Sequence, residues 1–334
     1  MPSLSDLNNL FPTKLHAVIF VGYMGLFINQ GILVTATKDK DNKYSYNPTI
    51  TVLLSELLKL IVASILFVKE SGVFALFQGF IRYFNVFLLY LVPSFLYCLY
   101  NNLAFANLSS YDPTTYFLLL QFRVVVTGVV FQVIFKKQLS RMQWFSLFLL
   151  TFGCIVKQLN TTAANGMPKL SIAFNMSLAL ILVQIFCSCF AGVYNEYLLK
   201  GQGEDVPFML QNAFMYVNSI ICNVAILGYT GSLTEGMTTK SVNSILQAKV
   251  LMIIFNNAAI GIVTAMFLRS LNSILKTFAS ALELMFTAVL CWIIFGIPVN
   301  IMTAVAIGIV SYATLLYAKN PVDNTPKSSG ATKV

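Results

Sequence analysis

The chain has 334 residues, 57% of them hydrophobic and only 10% charged, with a mean hydropathy of +0.78 and a formal net charge of +9. A soluble domain carries about 25% charged residues, so these side chains cannot coat a water-facing surface of this size, and a water-soluble enzyme or binding module is excluded. The basic residues are scattered over short loops rather than gathered in one patch, so the expected partner is the lipid bilayer and not nucleic acid.

The apolar runs are about twenty residues long, the length of a helix that crosses roughly 30 Å of hydrocarbon. They lack the period-two alternation of barrel strands, the only other spanning solution. Ten runs are predicted, near 15–35, 48–68, 84–107, 113–135, 142–160, 170–198, 207–229, 249–268, 273–295 and 299–318. The expected fold class is an all-α polytopic membrane protein.

Residues 1–14 form a polar N-terminal segment, and no small-residue cleavage site follows the first run, which reads as a retained signal-anchor helix. His16, the single histidine, stands at its start and cannot by itself make a metal site or a catalytic dyad. The second run carries Glu56 and Lys59, three apart on one helix face, which suits a structural or gating ion pair. Contact of Lys59 with a substrate is the other reading. The third run, VPSFLYCLYNNLAF, holds Pro93, which can kink a helix, then Tyr97 and Asn101 on one face, with Asn102 beside them.

Asp112-Pro113 is a good helix start for the fourth run, with an N-cap carboxylate and a proline in the first turn. That run carries Tyr116 and Arg123, and Arg123 lies too deep to reach water easily. The fifth run ends at Asn160-Thr161-Thr162, a glycosylation sequon, followed by the polar connector 161–169. The six cysteines all fall in apolar runs, and the i,i+2 spacing of Cys187 and Cys189 turns them to different helix faces, so packing is their expected role. In the seventh run Asn212 and Tyr216 share a face, with Asn218 just beyond. The ninth carries Lys276 and Glu283, and its small residues in TFASALELMFTA allow close helix approach. The tail 319–334 is short and polar and is expected to be disordered.

An even number of spans puts both termini on one side. Eleven of the lysines and arginines fall on that side and seven on the other, so the positive-inside rule expects cytosolic termini and a lumenal connector. The runs split five and five, 15–160 and 170–318. An offset of 160 aligns IFKKQLS with IFGIPVN, pairing Tyr116 with Lys276 and Arg123 with Glu283. A five-span repeat must insert inverted, a recurring plan of secondary transporters.

Lys59, Arg123 and Lys276 lie deep in apolar runs, and each costs roughly 2.5–3.5 kcal/mol there if it finds no partner. Glu283 can neutralise Lys276 or Arg123 in an empty site, yet the cations on these helices outnumber the carboxylates facing them. A cavity with a net positive field follows, suited to a phosphate or pyrophosphate. Tyrosine rings nearby can stack on a base, and asparagine amides can read a pyrimidine edge and ribose hydroxyls.

At these residues the sequence resembles the nucleotide-sugar transporters of the drug/metabolite transporter superfamily, from about 14 to 318. The motifs that carry the likeness are SELLKL (55–60), YCLYNNLAF (97–105), the stretch from Tyr116 to Arg123, LSRMQW (139–144), FAGVYNEYLLK (190–200), QNAFMY (211–216) and NSILKTFASA (272–281). The resemblance implies ten spans in two inverted halves and exchange of a nucleotide-sugar for a nucleoside monophosphate across the Golgi membrane. The sequence shows no His/Asp cluster, serine elbow or metal-ligand spacing, so no enzymatic step, metal or cofactor is expected, and a homodimer stays open. Tyr97, Asn101, Tyr116, Arg123, Asn212, Tyr216 and Lys276 match family positions lining the nucleotide pocket, and Asn218 matches a contact position usually held by a small hydroxyl residue. YNEYLLK and LKTFASALELMFTAVLC look most like the family's UDP-galactose transporters. A CMP-sialic acid exchanger and a proton-coupled exporter of small metabolites using Glu56 or Glu283 are the alternatives.

Overall fold

Within hydrocarbon every backbone N–H and C=O must find its partner inside the same segment, so the apolar runs fold as helices. The computed structural model describes residues 11, 13–37, 46, 48–110, 119–163, 176–203, 205–229, 244–296 and 301–320, and among these there is no strand. The helices are α1 Lys14–Thr37, α2 Pro48–Ser71, α3 Val73–Arg82, α4 Phe84–Leu89, α5 Leu91–Ser110, α6 Arg123–Phe135 and α7 Arg141–Ala163, then α8 Met176–Tyr197, α9 Phe208–Tyr229, α10 Ala248–Ser270, α11 Ser273–Phe295 and α12 Ile301–Lys319. Among the described residues, eight helical stretches are long and apolar enough to cross a membrane, against the ten expected. The fourth and fifth expected spans are the two not in that count. Helix α6 has 13 residues, and residues 111–118 before it, with Tyr116 and the Asp112-Pro113 start, lie outside the described set. The side chains of Asn102 and Asn160 and the tail from 321 lie outside it too.

Local chemistry shapes the elements that carry the site. The third run breaks at Tyr90 into α4 and α5. The ring of Pro93 crowds the carbonyl of Leu89 four residues earlier and removes one ladder donor, so the regular helix cannot pass through that turn. Ahead of α6 the backbone tightens: Phe122 N–H donates to Leu119 O at 3.1 Å and Val124 N–H to Gln121 O at 3.2 Å. Arg123 therefore opens α6 rather than lying inside one continuous helix. Asn272 caps α11 by accepting the Leu275 N–H at 2.7 Å, and Gly296 ends it with φ of 68°. A helix also stands where a loop was expected, at α3, whose Leu76, Gly79 and Phe80 turn toward Leu210 and Phe214.

The main core joins α1, α6, α7, α8, α10, α11 and α12 around Tyr23, Phe131, Leu147, Ile181, Phe267, Phe278 and Tyr317. Outward faces are no less apolar, with Val18, Val21, Phe148, Phe152 and Ile293 exposed, as a lipid solvent requires. The strongest packing pairs are α7 with α12, α5 with α8, α1 with α10, and α2 with α9. Close approach of α7 to α12 needs Gly153, where a Cβ would come within 2.9 Å of Val310. Polar contacts tie two of these seams. Asn256 donates to Leu26 O at 3.0 Å and accepts from Asn29 at 2.8 Å between α1 and α10, and Asn107 donates to Gln184 at 2.7 Å between α5 and α8.

Candidate functional site

Helices α2, α5, α9 and α10 line a cavity of about 240 Å³, to whose wall Asn195 of α8 and Lys276 of α11 also contribute. Tyr97, Asn101, Asn212 and Tyr216 all line it, as do Glu56 and Lys59. The helical spacing brings them there: Tyr97 and Asn101 are one turn apart on α5, and Asn212 and Tyr216 one turn apart on α9. A second hollow of about 80 Å³ lies between α6, α8 and α11, lined by Arg123, Thr127, Ser188, Ser273, Thr277 and Ser280. Lys276 borders both hollows. Among the described residues neither Arg123 nor Lys276 has a carboxylate within ion-pair distance, and the two basic side chains line the smaller hollow together.

The third deep cation is neutralised. Lys59 Nζ lies 2.5 Å from Glu56 Oε1, each side chain 13% exposed, and 5.0 Å from the ring centre of Tyr216. Gly261 of α10 faces that lysine, and a Cβ there would run into its stem. The pair thus fills a slot kept open by the absence of a side chain on α10.

Two expected residues lie elsewhere. Asn218 is 2% exposed and donates to Phe87 O at 2.9 Å and to Phe214 O at 3.0 Å, so its amide stitches α4 to α9 and lines neither hollow. It looks out of the α9 face opposite the cavity, because it stands two residues after Tyr216 and is turned about 200° from it. Glu283, two turns beyond Lys276, borders neither hollow.

The structure adds Asn195, Ser94, Ser219, Asn223 and Thr264 to the cavity wall. Asn195 lies in the FAGVYNEYLLK stretch, and an amide inside an apolar run was the signal that could have found it. Serine and threonine give no such signal, since in membrane helices they often bond their own backbone; Ser94 instead donates to Met215 O at 3.1 Å on the neighbouring helix.

A family model for nucleotide-sugar transporters matches residues 17–318, nearly the whole chain. The chain belongs to the nucleotide-sugar transporter family. Among relatives of this transporter, UDP-galactose transporter senju of Drosophila melanogaster is 51% identical over 97% of this chain and 91% of its own length. CMP-sialic acid transporter 1 of Oryza sativa subsp. japonica is 27% identical over 86% of this chain and 89% of its own. One solved crystal structure superposes with a TM-score of 0.63 over 92% of this chain and 97% of its own at 11% identity, a likeness of fold alone. A nucleotide-sugar transporter moves its cargo without transforming it chemically. Its site needs cations for phosphate, rings and amides for the nucleoside, and walls that can part. The two hollows offer the first two.

Proposed function

We propose that this transporter exchanges a UDP-sugar, UDP-galactose first among them, for UMP across the Golgi membrane by alternating access. Arg123 and Lys276 hold the phosphates, and the guanidinium of Arg123 offers a bidentate fork. Tyr97, Asn101, Asn212 and Tyr216 read the uracil and ribose, joined by Tyr116. Glu56 and Lys59 form an ion pair on the wall that opens and closes with α2. One observation carries the reading: Lys276 lines both hollows and Arg123 lines the smaller one with it, and among the described residues neither has a carboxylate within ion-pair distance. The likeness to the senju protein over 97% of the chain supports a UDP-linked cargo over a CMP-linked one.

Ten spans in two inverted halves supply the moving parts, with both termini in the cytosol. The packing supports this plan. If α1, α2, α5, α6 and α7 are exchanged with α8, α9, α10, α11 and α12, the major contacts map onto one another. The pair α5–α8 becomes α10–α1, α2–α10 becomes α9–α5, and α6–α8 becomes α11–α1. Halves related in this way can rock about the site between them. Exchange follows because an empty site holding two basic side chains is costly to carry through the hydrocarbon, and either anion offsets that cost.

Counterflow in proteoliposomes tests the proposal. UDP-galactose should enter vesicles loaded with UMP and not empty ones, and CMP should replace UMP poorly. Equal uptake into empty vesicles, or better exchange with CMP, would reject it.

A further inference from the structure

Buried polar atoms in proteins almost always find a partner, so the exceptions point to something absent. Among the described residues six buried side-chain atoms have none: Asn107 Oδ1, Asn195 Oδ1, Tyr216 Oη, Thr264 Oγ1, Ser273 Oγ and Thr287 Oγ1. Four of the six belong to residues that line the two hollows. Other polar groups on the same walls already have a protein partner: Asn212 donates to Phe208 O at 2.9 Å, Asn223 to Ser219 O at 2.8 Å, Lys59 to Glu56 at 2.5 Å. Asn195 is the clearest case, 4% exposed, with an oxygen that can only accept. It lines the larger cavity together with Lys276.

The backbone beneath Asn195 is held in place. Its neighbour Glu196 accepts the Ser273 N–H at 2.7 Å and holds Lys200 at 2.8 Å, and Lys200 also donates to Leu271 O. The amide is therefore presented from a turn fastened to the start of α11, only three residues from Lys276. Asn195 lines the same cavity as Lys276, the cation proposed to hold phosphate, so its free acceptor suits a cargo donor near that phosphate, and Thr264 Oγ1 in the same lining can give or take the same bond.

We propose that Asn195 is a specificity-determining residue of this transporter, accepting a hydrogen bond from a hydroxyl of the cargo next to its phosphate, with Thr264 completing the contact. The inference rests on the exchange proposed above. Two parts of a UDP-sugar carry hydroxyls beside phosphate, the ribose and the hexose, and the test separates them.

Purified full-length protein and its Asn195→Leu variant are compared by ligand-induced thermal shift with UMP, 2′-deoxy-UMP and UDP-galactose. Leucine is nearly isosteric and removes the acceptor, so the ligand-free melting point should hold or rise while the apparent Kd of at least one ligand weakens about tenfold. Loss for UDP-galactose alone assigns the bond to the hexose. Loss for UMP and UDP-galactose together, with wild-type protein favouring UMP over 2′-deoxy-UMP and the variant not, assigns it to the ribose. A drop in the ligand-free melting point with unchanged affinities would make Asn195 a packing residue and overturn the inference. A variant that binds all three ligands as wild type does would overturn it equally. Should wild-type protein respond to no uridine nucleotide, the exchange reading itself fails. Thr264→Val, which keeps the shape and removes the hydroxyl, should reproduce the affinity loss if Asn195→Leu does not fold; Thr264→Val binding as wild type in that case also overturns the inference.

Discussion

Glu196 and Ser273 join α8 to α11 through one carboxylate. The Glu196 side chain, 1% exposed, takes the backbone N–H at the start of α11 on one oxygen at 2.7 Å and Lys200 on the other at 2.8 Å. A carboxylate at a helix N-terminus meets both an unpaired donor and the positive end of the helix dipole. The contact also sets the height of α11, and with it Lys276, relative to α8.

Removing that carboxylate should loosen the assembly. Glu196→Ala leaves the Ser273 N–H and the Lys200 ammonium without their acceptor, and the expected loss is about 2 kcal/mol of stability. Glu196→Gln can still accept the Ser273 N–H and should lose less. Thermal unfolding of the detergent-purified variants measures both, and equal melting points for wild type and Glu196→Ala would show the carboxylate to be dispensable.

Lys276 and Arg123 should matter to exchange and not to folding. Neither has a carboxylate partner among the described residues, so truncation frees no buried charge. Lys276→Ala is expected to lower UMP affinity about a hundredfold, the scale of a lost charge-assisted contact of roughly 3 kcal/mol. Arg123→Lys keeps the charge but not the fork and should lose about tenfold. Counterflow rates normalised to protein amount report the effect.

The Glu56–Lys59 pair behaves oppositely. Glu56→Ala strands a largely buried ammonium beside Tyr216, whereas Glu56→Ala with Lys59→Ala removes the problem together with its cause. The single variant should therefore fold less well than the double, with a coupling of about 1 kcal/mol or more. Additive melting-point changes across the cycle would show the pair to be uncoupled.

Asn218 should be structural. Its amide holds Phe87 O and Phe214 O, so Asn218→Ala is expected to cost about 1–2 kcal/mol and leave substrate KM unchanged. A raised KM with an unaltered melting point would return it to the cargo site.

Much of this architecture is visible in the residue string, because hydrocarbon imposes a one-dimensional rule: each crossing segment satisfies its own backbone and shows its own apolar length. That rule marks α1, α2, α8, α9, α10, α11 and α12 without a fold. It also marks Arg123, Lys276, Tyr97 and Asn212 as polar residues in a place that penalises them. It misses α3, since ten residues ending in Arg82 look like a loop until Leu210 and Phe214 are there to cover them.

The amino-acid order alone determined that this chain crosses a membrane repeatedly, and it marked the polar groups within it, since burial in lipid is paid residue by residue. Tertiary structure decided which of those groups look at one another. It put Asn218 on a packing seam, Glu283 outside the lining of both hollows, and Lys276 in the lining of both with Arg123 beside it in the smaller one. The physical reason is rotational: a helix turns 100° per residue, so facing is set by the helices packed around it and not by the local sequence.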